Sequence, residues 1–278
     1  MKAEIKESAV REHSEVFQNT LPLQMCLEEV GRMIGSTDGL ACLEIGTENG
    51  IFSRQLRRLG GTWQSVAANA SLATSIATVL EDDVHVIDGN RLPFKRKLFD
   101  LVVVINFLER FEDDIAFIEE CHKVLKPEGR LVVTTVRLGH WAPARGIRRV
   151  LGLTHENRGL ARSGYTEPEL FRVLKSGFDV HAVRPYSRFF VEATEAVLQR
   201  LTESNDPESA AADKGRRRRY RVAGFCYSIA SQLDFLLLFS KGYRQIAIAK
   251  RRGWRPRKAP ILVDGRSITE AVLSRPGG

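Results

Sequence analysis

Leu43–Gly50 reads LEIGTENG, and three stretches follow it in order: VIDGNRLPF over 86–94, FDLVVV over 99–104 and LKPEGRLVVTT over 125–135. The apolar run 40–45 has the length and composition of a buried parallel strand, and 46–50 form a tight turn that hands the chain to a helix from about Ile51. Such a turn brings backbone close to a ligand. Outward from it, strands are expected over 40–46, 62–67, 83–87, 99–105 and 129–136, with helices over 51–59, 71–80 and 112–125. FDVHAVRP, 178–185, and GYRQIAIAKRR, 242–252, read as two more strands. The alternation predicts an α/β fold, a doubly wound, mostly parallel seven-stranded sheet whose ligand lies at the carboxyl ends of its strands. Glu44, Gly46, Asp88 and Asn106 all fall at such ends.

The quoted segments resemble the class I S-adenosylmethionine-dependent methyltransferases, in their small-molecule, type 11-like branch, over roughly residues 40–190. Glu44 matches the family's acid at the end of the first strand, Gly46 and Gly50 two of its loop glycines, Asp88 the acid after the third strand, and LKPEGRL its LKPGGRL turn. Any one of these is a weak signal; four in order at these spacings are strong. The resemblance implies a Rossmann-like fold with S-adenosylmethionine as cofactor. It places Glu44, Gly46, Thr47, Asn49 and Gly50 against the methionine and ribose, Asp88, Gly89 and Asn90 at the adenine, and Asn106 on the pocket floor.

Two positions depart from the family. Glu48 replaces the middle loop glycine and adds a negative charge beside a carboxylate-bearing cofactor. The second-strand acid that grips the ribose hydroxyls should fall near Ala67, where there is no carboxylate; Asn69 offers a neutral substitute.

Length and charge divide the chain. Its 278 residues suffice for one core of about 200 residues plus an extension. The division read is a helical cover over 1–36, a cofactor-binding core over 37–188, a helical insertion over 189–240, and a last strand with a basic tail over 241–278. Pro22 marks a break in the amphipathic cover. Residues 214–278 hold 16 Lys and Arg against three acids, +13, so the rest carries −5 although the total is +8. An anionic partner should therefore meet the carboxyl-terminal part. There, RRRR at 216–219 precedes an apolar run over 222–240 interrupted by Gln232 and Asp234, a pattern for lying on an anionic membrane surface. The arginine run lacks interleaved aromatics, so nucleic acid is not expected, and nothing specifies an oligomeric state. Four scattered cysteines read as reduced core thiols, and no metal-ligand spacing occurs. The opening MKAEIKESAVREH has no signal-peptide core, which points to the cytoplasm, with a peripheral place on the inner membrane face.

Residues 137–165 are too long for a plain connection and read as a lid over the site. His140 and His155 within it are candidates to take a proton from an acceptor hydroxyl, because imidazole titrates near neutrality; Tyr165 is a third. The function expected is methyl transfer to a small-molecule or lipid-linked acceptor. Glu48 and Ala67 keep open a second reading, a methyltransferase-like scaffold or binding protein without turnover at a membrane surface. A nicotinamide-binding oxidoreductase fits less well, because the loop is not GxGxxG.

Overall fold

The computed structural model describes residues 2–139, 143–153, 155–203, 226–234 and 242–253. Two helices lead, α1 (Lys2–Asn19) and α2 (Leu21–Ile34). The core follows as β1 (Ala41–Ile45), α3 (Gly50–Arg57), β2 (Thr62–Ala67), α4 (Ala70–Leu80), β3 (Val84–Val86), β4 (Phe99–Ile105), α5 (Asp114–Val124) and β5 (Leu125–Val136). The chain continues with α6 (Pro143–Val150), α7 (Glu167–Leu174), β6 (Phe178–Tyr186), α8 (Phe189–Glu203) and β7 (Arg244–Arg251).

The seven strands form one sheet in the order β3-β2-β1-β4-β5-β7-β6. β1 to β5 run parallel, and β7 lies antiparallel between β5 and β6. The expected doubly wound, mostly parallel seven-stranded sheet is the one found. Strand order reverses between β1 and β4, so the crevice of a doubly wound sheet opens at their carboxyl ends.

Side chains alternate across the sheet with period two, and the apolar set therefore divides into two layers. Leu43, Ile45, Val102 and Val104 face one cluster with Phe117 of α5 and Leu170 of α7. Cys42, Leu101 and Val103 face the other, with Val30 of α2 and Phe52 and Leu56 of α3. Glu44 shares the parity of Cys42, which puts a fully buried carboxylate under α3.

Several local expectations are met for identifiable reasons. Thr166 Oγ1 accepts from the Glu169 N–H while Glu169 Oε2 accepts from the Thr166 N–H, the reciprocal cap that starts α7. The cover breaks at Thr20, and Pro22 sits in the first turn of α2, where no intrahelical N–H is required. In the LKPEGRL turn, Glu128 adopts φ +65° where the family has glycine. All four cysteines are free, and burial pushes the Cys42 thiol up to about 12.

β5 begins at Leu125 rather than at 129, because Leu125 already pairs with Phe99 of β4, before a register shift after which Arg130 pairs with Leu101. His140, the arginine run 216–219 and most of the apolar run 222–240 lie outside the described residues. Within that run, 226–234 is helical and packs Tyr227 and Ala230 against Val191 of α8. No helix among the described residues is long and apolar enough to cross a membrane.

Candidate functional site

β1 ends in a turn whose geometry only glycine tolerates. Gly46 has φ +87°, and a Cβ there would sit 2.5 Å from the Cβ of Phe107. Its N–H donates to Val66 O at 3.0 Å, extending the β1–β2 ladder by one bond before the chain turns. Asn49 then caps α3, its Oδ1 accepting from the Ile51 and Phe52 N–H groups. Its Nδ2 donates to His13 O at 3.0 Å, and the Gly50 N–H donates to His13 Nδ1 at 2.8 Å. With Nδ1 accepting, the neutral ring carries its proton on Nε2 and donates to Ser75 Oγ at 2.8 Å. The turn is thus sewn to α1 by a residue that sequence reasoning passed over.

Glu44 lies just before this turn and is 0% exposed. Its Oε1 accepts from Ser65 Oγ at 2.7 Å and from Arg57 Nη1 at 3.3 Å, whereas Oε2 is buried without a hydrogen-bond partner. Arg57 also reaches Ser65 Oγ at 2.8 Å. Thr47 is buried, with Oγ1 accepting from Ser53 Oγ at 3.3 Å.

Glu48 points away from this buried set and pairs with Arg110 at 3.0 Å; the two side chains are 62% and 33% exposed. Arg110 in turn lies over the Phe107 ring, 5.4 Å from its centroid. The additional carboxylate expected to repel a cofactor is therefore held by a cation at the rim. The missing acid has a similarly concrete account. Ala67 is wholly buried inside β2 and packs with Ala73 and Ile76, so a carboxylate there would face apolar side chains. The exposed exit of β2 belongs to Asn69, whose Oδ1 caps α4 by accepting from the Leu72 N–H at 2.9 Å.

A cavity of about 500 Å³ opens at the carboxyl ends of β1 and β4. It brings together Gly46, Glu48, Asn49, Asn106 and His155, with α1 and α2 contributing Val16, Pro22 and Leu23 to its wall. Asn106 is held at φ +45° by its N–H to Thr134 O at 3.1 Å and by the Thr134 hydroxyl, which donates to its Oδ1 at 3.3 Å. His155 comes from the 137–165 segment, its Nδ1 3.0 Å from Ser163 Oγ.

Other residues singled out from the sequence lie elsewhere. Glu44, Thr47 and Gly50 lie behind the cavity wall. Asp88 and Gly89 form an exposed turn, in which Asp88 and Arg91 exchange backbone hydrogen bonds of 3.3 and 2.9 Å, and Asn90 Nδ2 donates to Asp113 O at 3.2 Å. Tyr165 is the clear correction. It is 0% exposed, donates to Asp114 Oδ2 at 3.0 Å, and does not line the cavity. Burial and the Asp114 carboxylate push its hydroxyl above the ordinary value, opposite to what a proton acceptor near neutrality needs. Conversely, Arg110 and Arg148, which line the cavity, were not anticipated, because nothing in their local sequence reports which cavity they reach. Among the described residues no group of three or more His, Cys, Asp or Glu could hold a metal.

The cavity is large enough for a small molecule. Its volume lies within the usual range for small-molecule sites, roughly 300–1,000 Å³. Backbone approaches it at Gly46, and Glu44 Oε2 remains a buried acceptor with no donor just before that turn.

Residues 43–133 match a protein family described as a methyltransferase domain. A demethylmenaquinone methyltransferase of Streptomyces griseus is 37% identical over 60 residues, covering 22% of this chain and 26% of that protein. A mitochondrial ubiquinone biosynthesis O-methyltransferase of Schizosaccharomyces pombe is 31% identical over 120 residues, 40% of this chain and 43% of that protein. The chain thus matches less than half the length of these relatives. Among solved structures, the cyclase SpnF superposes with a TM-score of 0.55 at 18% identity, over 81% of this chain and 80% of that one. An S-adenosylmethionine-dependent methyltransferase of Mesorhizobium loti gives 0.53 at 18% identity, over 81% and 96%. At such identities the likeness is one of fold, and a fold shared with a cyclase does not by itself fix the reaction.

Proposed function

We propose that the protein, whose residues 43–133 match a methyltransferase domain, is a class I S-adenosylmethionine-dependent enzyme that methylates a small-molecule acceptor held between that domain and the lid. The supporting observation is the single cavity that joins Gly46 and Asn106, at the strand ends, to His155 of the lid.

In this reading the Gly46 turn, backed by the buried Glu44, holds the methionine and ribose end, Asn106 floors the site, and Asn69 and Asp88 flank the nucleoside at the exits of β2 and β3. When bound, S-adenosylmethionine supplies a methyl group made electrophilic by its sulfonium. The protein's task is alignment and exclusion of water, which is why the site needs few reactive side chains. His155 accepts the acceptor's proton at Nε2, while Ser163 fixes the ring through Nδ1. The acceptor atom is an oxygen on this reading, in keeping with the O-methyltransferase names of several relatives. A lipid-linked, quinone-type acceptor would suit the apolar wall of Leu23, Leu153 and Leu198. It would also suit a peripheral place on the inner face of the membrane, to which the basic segment 214–221 would bring the protein.

Calorimetry with S-adenosylmethionine tests the core of the proposal. Micromolar binding is expected, weakened at least tenfold in Glu44→Ala. Turnover with a catechol panel should fall about 10²-fold or more in His155→Ala while cofactor binding holds, the range for loss of a general base. The second reading, a scaffold without turnover, draws on the neutral Asn69 at the β2 exit. It takes over if millimolar S-adenosylmethionine gives no heat. Membrane association is read separately, by salt-sensitive binding to vesicles containing anionic lipid that deletion of 216–240 abolishes.

A further inference from the structure

Arg148 projects from α6 and is 8% exposed, yet it lines the cavity. Its Nη2 donates to Gln199 Oε1 of α8 at 2.7 Å, and its Nη1 is buried with no hydrogen-bond partner. A buried guanidinium without a carboxylate is costly, and proteins usually match it with an anion of planar or tetrahedral oxygens. The acids that line the cavity have other partners: Glu109 Oε1 accepts from the Val136 N–H at 2.7 Å, and the exposed Glu156 lies 3.8 Å from His155 Nε2. Glu195 accepts from Gln199 Nε2 at 2.9 Å and from the Tyr227 hydroxyl, Glu48 pairs with Arg110, and Arg244 pairs with Glu192 at 2.6 Å. Arg149, the next residue, lines the same cavity from an exposed position. Between this cationic end and Asn106 the wall includes Leu138, Leu153, Leu160 and Leu198.

We propose that Arg148 is a specificity residue: it receives an anionic group, carboxylate or phosphate, carried by the acceptor on an otherwise apolar body. The inference rests on the methyl-transfer reading and adds to it the charge of the substrate. The Gln199 bond fixes the guanidinium plane, so one edge is presented to the ligand without loss of rotamer freedom on binding.

The probes are 2-naphthoate, 2-naphthyl phosphate and neutral 2-naphthamide, titrated by fluorescence at fixed ionic strength. At least one anion should bind the wild-type protein about tenfold or more tightly than the amide, the factor that one hydrogen bond to a charged group contributes. Which anion binds more tightly distinguishes carboxylate from phosphate. The advantage should fall below threefold in Arg148→Met and persist in Arg149→Met. Equal binding of anions and amide by the wild-type protein overturns the proposal, as does an undiminished advantage in a cooperatively folded Arg148→Met. If that variant does not fold, Arg148→Lys replaces it. It keeps the charge without the planar fork and should weaken the anion's advantage about threefold; no weakening is equally fatal. S-adenosylmethionine binding is measured on the same samples. Cofactor binding without anion preference removes this inference alone, and anion preference without cofactor binding removes the methyltransferase reading alone.

Discussion

Gly46 and Glu48, two residues apart, carry opposite lessons about substitution. At Gly46 the constraint is internal: φ +87° and Phe107 Cβ at 2.5 Å from an added Cβ exclude any side chain, whatever binds nearby. Gly46→Ala is expected to lower stability by about 2–4 kcal/mol, from left-handed strain together with overpacking, as read in urea melts. At Glu48 the substitution is tolerated because Arg110 neutralises it at an exposed rim, where an ion pair contributes at most about 1 kcal/mol. Restoring glycine by Glu48→Gly should therefore change S-adenosylmethionine affinity less than threefold. Arg110→Ala, which leaves the carboxylate uncompensated, should weaken it several-fold more. Equal effects of the two substitutions would show that the rim pair is irrelevant to the site.

At the scale of elements, the site is closed by the docking of α1 onto α3 and α4 rather than by the sheet. One side chain makes that junction: His13 accepts from Gly50 N–H at 2.8 Å and donates to Ser75 Oγ at 2.8 Å, while its carbonyl accepts from Asn49 Nδ2. His13→Ala removes two buried hydrogen bonds and leaves the Gly50 N–H without an acceptor. A loss of about 1–3 kcal/mol is expected, concentrated in the docking of α1. Amide hydrogen exchange should report it as faster exchange over 7–19 with little change in β1 and β4. Uniform acceleration across the sheet would mean that α1 and the core unfold as one unit.

For the molecule as a whole, electrostatic stability rests on carboxylates that tie elements together. Burial raises the Asp100 pKa, but Lys126 at 2.8 Å and the Ala41 N–H at 2.9 Å outweigh it and hold the group below its ordinary 3.8. The Thr166 N–H and hydroxyl hold Glu169 below its ordinary 4.5. A carboxyl group whose pKa is depressed by folding contributes stability fully above its unfolded value and loses it as pH falls through the folded one. Urea midpoints should thus be flat from pH 7 to about 5 and decline below about 4.5, with Asp100→Asn reducing the slope. A midpoint that held level to pH 3 would exclude these groups as determinants.

The order of strands and helices was legible from the chain because apolar runs and their spacing report burial one element at a time, and β1, β4 and β5 each bury such a run. The Gly46 turn and the Thr166 cap were legible for the same reason: each is a local requirement of backbone geometry. Tyr165 was misread because sequence position does not reveal which way a side chain faces or what has already claimed its polar atoms. Only the tertiary structure brings Arg110 to Glu48 and His13 to Gly50, 62 and 37 residues apart. It alone places Arg148 of α6 beside Gln199 of α8 on the wall of the cavity that Asn106 also lines. Those contacts link elements distant in the chain. They exist because burying both faces of the sheet forces the helices, and the charges they carry, to close over the ends of its strands.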